Sequence, residues 1–224
     1  MNPFEVLRDS LYFFQRNLGR IAVLCLPLVI LEALLQLLVD HSQGPEAFPG
    51  FSVVVGLLVY PLYTGALILF LDARSRGESP STMALLSAAA RLWPRFALLT
   101  AVSTLLILVG LSLYFLPGIW LMVMLAFAEY LLVLRNMQPL AAMRESMRLV
   151  RGNFLRILVC ILCVMGPLWL LRGATMSIYP PPQNPMLTLV IESAHSFLQL
   201  FTSVVLFRLF MLIGQTPDKP EGGI

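Results

Sequence analysis

A chain of 224 residues with 58% hydrophobic and only 12% charged residues carries about half the charge of a water-soluble domain, in which roughly a quarter of residues are ionised. That composition excludes a globular domain in water and makes lipid the solvent of most side chains. The formal charge of +3 does not point to nucleic acid, because fourteen arginines and the single Lys219 are scattered between apolar segments and form no basic face.

The first twenty residues read as an amphipathic helix: Pro3 suits a first helical position, and Phe4, Leu7, Leu11 and Phe14 recur at intervals of three, four and three. A first span follows at 21–39. It ends in Val39-Asp40-His41-Ser42, with no small-residue cleavage site, so it is expected to be retained. The second span, 51–71, carries Tyr60 and Tyr63 on either side of Pro61, near mid-bilayer, where packing is the expected role. A fainter amphipathic segment opens at Ser79-Pro80 and continues through Met83, Leu86, Ala90 and Trp93 to Pro94-Arg95.

Residues 96–134 form one unbroken apolar stretch, which as a single helix would measure about 58 Å, twice the hydrocarbon thickness. It must fold back, and Leu116-Pro117-Gly118 is the expected corner, with Gly110 the lesser alternative. The third and fourth spans are therefore 96–116 and 117–134. Another amphipathic helix follows, with Leu140, Met143, Met147 and Val150 on its apolar side behind Pro139. The fifth span is 155–171, the sixth 186–207, and residues 215–224 form a short polar tail. Pro27, Pro61 and Pro167 fall inside spans one, two and five, where each frees a carbonyl and permits a kink.

Arginine placement tests the count. Arg8, Arg16, Arg20, Arg74, Arg76, Arg91, Arg95, Arg135, Arg144, Arg148, Arg151 and Arg156 fall on one side of a six-span chain, joined by Arg208 and Lys219 at the tail, and only Arg172 falls on the other. By the positive-inside rule both termini are cytoplasmic. The expected fold is all-α: a single polytopic domain, 1–214, of six transmembrane helices plus interfacial helices.

Residues 7–21 and 143–157 match at an offset of 136, pairing Arg8 with Arg144, Ser10 with Ser146, Asn17 with Asn153, Arg20 with Arg156 and Ile21 with Ile157. With the fainter middle copy, the economical description is a three-fold repeat of interfacial helix plus membrane hairpin.

Ionisable residues inside spans are costly and therefore informative. Glu32 and Glu192 have matching depths near the outer ends of spans one and six, and His195 follows Glu192 at i+3. Together they form a candidate polar cluster. Glu129, six residues before Arg135, is expected to snorkel or pair with a loop arginine. Arg144, Arg148 and Arg151 are candidate contacts for anionic lipid headgroups. Cys160 and Cys163 lie within a span and read as packing residues, as does Cys25. No Walker loop, dinucleotide fingerprint, zinc-protease helix or nucleophile elbow is present, so no catalytic, cofactor or metal residue is assigned and no enzyme is expected.

The stretch 116–157, with Leu116-Pro117-Gly118, Pro139-Leu140 and Arg151-Gly152-Asn153-Phe154, resembles the YciC family of bacterial inner-membrane proteins. That family is itself similar to the membrane domain attached to some glycerophosphodiester phosphodiesterases. The resemblance implies a multi-pass inner-membrane protein without a catalytic residue to carry over. Two functional readings follow. The first is a non-enzymatic envelope protein that organises the membrane or binds lipid headgroups or a membrane-protein partner. The alternative is a small permease that uses Glu32, Glu192 and His195 as a proton or ion site.

Overall fold

A computed structural model describes residues 3–43, 50–179 and 184–214. Within them the chain forms eight helices and no strand: α1 (Pro3–Gln43), α2 (Gly50–Ser75), α3 (Thr82–Leu113), α4 (Phe115–Met124), α5 (Ala128–Arg135), α6 (Pro139–Arg151), α7 (Phe154–Ile178) and α8 (Pro185–Gly214). Six stretches are long and apolar enough to cross a membrane, with α4 and α5 together supplying the fourth as Leu116–Arg135. The expected all-α six-span architecture is therefore present. The tail at 215–224 lies outside the described residues.

Several local expectations need correction. The N-terminal amphipathic segment is no separate interfacial helix but the opening turns of a 41-residue α1. The middle segment likewise runs on through Pro94 into α3, starting at Ser81, whose Oγ accepts from the Ala84 amide at 3.3 Å. Only the third, α6, stands alone, because Gly152-Asn153 places a poor helix former directly after Arg151, one residue beyond its last apolar side chain, Val150. At the aligned position of the first copy stands Arg16, a good helix former, and the helix continues.

The hairpin between spans three and four turns at Tyr114, two residues before the expected corner. Pro117 sits in the first turn of α4, where its missing amide proton costs nothing. Arg208, expected in the tail, lies in α8 and pairs with Asp9 at 3.5 Å. The residues aligned in the repeat also play different parts. Ser146 forms two hydrogen bonds, whereas the buried Ser10 hydroxyl has no partner among the described residues.

Side-chain contacts gather most basic segments at one end of the bundle. Arg20 and Arg74 both donate to Ser79 Oγ, Arg95 donates to Asn136 Oδ1, and Arg135 lies 5.8 Å over the Phe210 ring. At the other end, where α1 and α7 finish and α8 begins, stands Arg172. Between the ends the helices pack through aromatic and small side chains, such as Phe14 against Phe197 and Phe201, and Gly65 against Ala89. Close approach of this kind is what holds helices together in lipid, where burial of apolar surface gives no advantage.

The fourth span is broken at Leu125-Ala126-Phe127, where the helical ladder is interrupted. Ser146 of α6 repairs the break: its hydroxyl accepts from the Phe127 amide at 3.1 Å and donates to the Met124 carbonyl at 2.7 Å. Irregular backbone at membrane depth survives only when buried in protein or facing a cavity, and this break has both conditions.

Candidate functional site: a polar cavity in the bundle

A cavity of about 580 Å³ occupies the centre of the bundle, lined by spans one to four and by α7 and α8. Helical periodicity selects which polar residues reach it. On α8 they are Glu192, Ser196, Gln199 and Ser203, at i, i+4, i+7 and i+11, with Thr202 at their edge; on α3 they are Thr100, Ser103 and Thr104. Each helix thus turns one hydrophilic stripe inward while Leu, Val and Phe cover the rest.

The broken span contributes Met122, Leu125, Ala126, Glu129 and Tyr130 from both sides of the break. Glu129 does not pair with a loop arginine. Both of its carboxylate oxygens lie 3.2 Å from the Tyr60 hydroxyl, which donates to them, and it has no ion-pair partner among the described residues. The reason is helical phase: six residues, about 600° at 100° per residue, put Glu129 and Arg135 on different faces. Tyr60 packs edge-on against Tyr63, with ring centroids 5.5 Å apart, and Tyr130 donates to the Ser203 carbonyl at 2.8 Å. Tyr60 and Tyr130 therefore do more than pack, because their hydroxyls fix the cavity wall.

Glu32 enters from α1. Gln36, one turn on, donates to its Oε1 at 3.3 Å, and the Tyr63 side chain stands beside the same carboxylate. Across from it α2 supplies Gly56, where a Cβ would stand 3.4 Å from Glu32 Oε1. Glu192 lines the same cavity and is engaged by Arg172 of α7, Nη2 to Oε1 at 3.2 Å.

Glu32 and Glu192 thus share one cavity, whereas His195 does not line it. Three residues rotate a helical side chain by about 300°, so His195 points about 60° away from Glu192 and about 100° away from Ser196. His195 is buried, with Nδ1 2.9 Å from the Ile191 carbonyl and Nε2 without a hydrogen-bond partner among the described residues. Glu129, Arg172 and the hydroxyl and amide stripes were missing from the expected cluster. Their signal was present as polar residues recurring at three and four within otherwise apolar spans.

Three glutamates face a single arginine in the lining, and that arginine is already paired with one of them. Such a lining is suited to a cation or a proton. No group of histidine, cysteine and carboxylate side chains among the described residues is arranged to hold a metal ion. At the arginine-rich end, Arg144, Arg148 and Arg151 are exposed on α6, and Arg148 is bonded to Glu145 at 2.9 Å.

The family model described as "Uncharacterised protein family (UPF0259)" matches residues 50–212. Relatives named UPF0259 membrane protein in Yersinia pestis (strain Pestoides F), Yersinia pseudotuberculosis serotype O:1b (strain IP 31758) and Yersinia pestis bv. Antiqua (strain Angola) are each 26% identical over 168 residues, covering 75% of this chain and 64% of the relative. The chain thus spans just under two thirds of the length of the curated relatives it matches. No solved structure matches it. The match over most of the chain, together with six apolar spans, makes this protein a member of the UPF0259 family of membrane proteins.

Proposed function

We propose that the protein is a small non-enzymatic carrier that binds a cationic solute or proton in the central cavity. The observation that supports this is the cavity itself: about 580 Å³ within the bundle, with Glu129 and Glu32 in its lining and neither paired with an arginine among the described residues. Polar residues within spans are expensive and usually mark an ion or substrate path, and a membrane organiser would have no use for this one. On this reading the chain sits in the bacterial inner membrane, as the resemblance of residues 116–157 to YciC proteins implies, with both termini cytoplasmic.

Reconstituted vesicles provide the test, with entrapped pyranine reporting protons and labelled tetramethylammonium as a permanently charged probe. Glu129→Gln is expected to insert normally and to lower the supported flux about ten- to a hundredfold, the equivalent of one lost hydrogen bond to a charged group. Flux of neither probe above that of empty vesicles would overturn the proposal.

A second role is favoured by the exposed arginines of α6, each of which contributes about 1 kcal/mol of attraction to an anionic surface. Arg144→Gln and Arg151→Gln are each expected to weaken retention of anionic lipid about fivefold. Arg148→Gln should do less, because Glu145 already neutralises it. Native mass spectrometry of co-purified lipid checks this, and equal retention by all three variants would argue against it.

A further inference from the structure

A second, smaller cavity of about 200 Å³ lies between α1, α7 and α8, at the end of the bundle away from the arginine-rich segments. It is lined by Ala33, Leu37, Thr188 and Leu189, and it shares just three lining residues with the central cavity: Gln36, Arg172 and Glu192. From these shared walls we infer that the Arg172–Glu192 ion pair, with Gln36 beside it, is a gate between an outer vestibule and the central solute site. The inference rests on the carrier reading of that site and supplies its means of access.

Geometry and chemistry both fit a barrier that opens. Positions 188, 192 and 196 lie one turn apart on a single face of α8. Thr188 is in the vestibule, Glu192 in the partition and Ser196 in the central cavity. The pair is 3.2 Å long, with the two side chains 42% and 33% exposed. A fully buried pair would be too costly to part, whereas one bordered by open space on both sides can exchange its partners for water. An arriving cation competes with the guanidinium for Glu192, so arrival itself loosens the partition. On the inner side Gln36 bonds Glu32, which places the next carboxylate on the solute's path.

The experiment uses the full chain in intact cells, with Cys25, Cys160 and Cys163 replaced by alanine and a single cysteine introduced as Thr188→Cys or Ser196→Cys. The probe is trimethylammonioethyl methanethiosulfonate, which does not cross membranes, added outside. The vestibule cysteine is expected to react rapidly in every background. The central one should react slowly while the pair is intact and about tenfold faster or more once Glu192→Gln or Arg172→Gln shifts the population toward open. The charge-swapped variant, Arg172→Glu with Glu192→Arg, should restore slow reaction, which separates gating from damage to the fold. Equal rates at position 196 with and without the pair would overturn the gate, as would an unreactive vestibule cysteine. Labelling needs no solute, so the two readings fail separately. Gated labelling without flux of tetramethylammonium or protons removes the carrier alone, and flux with ungated labelling removes the gate alone.

Discussion

Replacing Ser146 with alanine is expected to destabilise the protein by about 2–6 kcal/mol, because it strands two buried backbone groups at about 1–3 kcal/mol each. The hydroxyl is wholly buried and is the hydrogen-bond partner of both the Phe127 amide and the Met124 carbonyl, across the break in the fourth span. In water a loosened loop would rehydrate; in lipid it cannot, so the penalty falls on the fold. Reversible unfolding in mixed detergent measures the difference, and a loss under about 0.5 kcal/mol, the size of an ordinary surface substitution, would show that the break stands without Ser146. Glu129 follows two residues after the break, so the same variant should also lose the ordered Tyr60–Glu129 contact.

The second large effect concerns the turn between α3 and α4. A Cβ on Gly118 would collide with the Leu111 side chain and stand 2.8 Å from the Leu111 amide nitrogen, and one on Gly110 would stand 3.0 Å from Gly118 Cα. Backbone on one strand of the hairpin meets backbone on the other, so no side-chain rotation relieves the clash. Gly118→Ala should therefore cost about 1–3 kcal/mol, toward the upper end, as overpacking does elsewhere. Gly110→Ala should cost less, and Gly118→Leu should prevent the hairpin from closing. Gly166→Ala is the control: its Cβ would meet nothing within 4 Å, and removing a helical glycine should be neutral or stabilising by up to about 1 kcal/mol. Comparable thermal stability for the variants at 118 and 166 would refute the close approach.

Much of this architecture is legible in the residues, because lipid imposes a single rule on every span: twenty or so apolar residues, or none. The hairpin inside 96–134 follows from length alone. Turn chemistry points to Leu116-Pro117-Gly118 as its corner, yet proline is as content in the first turn of a helix as in a corner, and the chain turns at Tyr114. The amphipathic segment of α1 runs on past its expected end for a related reason. Periodicity locates a face, and only a helix breaker locates an end. In the cavity, charge was the visible signal and phase the neglected one. Depth brought Glu32 and Glu192 together, but His195 is set by a 60° offset that spacing at i+3 already contains, and Ser196, Gln199 and Ser203 share the angle of Glu192. Arg172, counted for topology as the lone cation of its side, is also the partner that Glu192 requires.

The length of α1 has a consequence of its own. At 41 residues it is about 61 Å long, and even a 40° tilt leaves some 47 Å of height against roughly 30 Å of hydrocarbon. Its two portions are thus glued by unlike forces. The oil-bathed stretch clings by shape and dispersion, indifferent to urea, while the protruding stretch obeys ordinary hydration physics and grows stickier with warming from the cold. Chaotropes and cooling should therefore peel this rod from its neighbour at one end first, fraying it like a cord with one waxed tip.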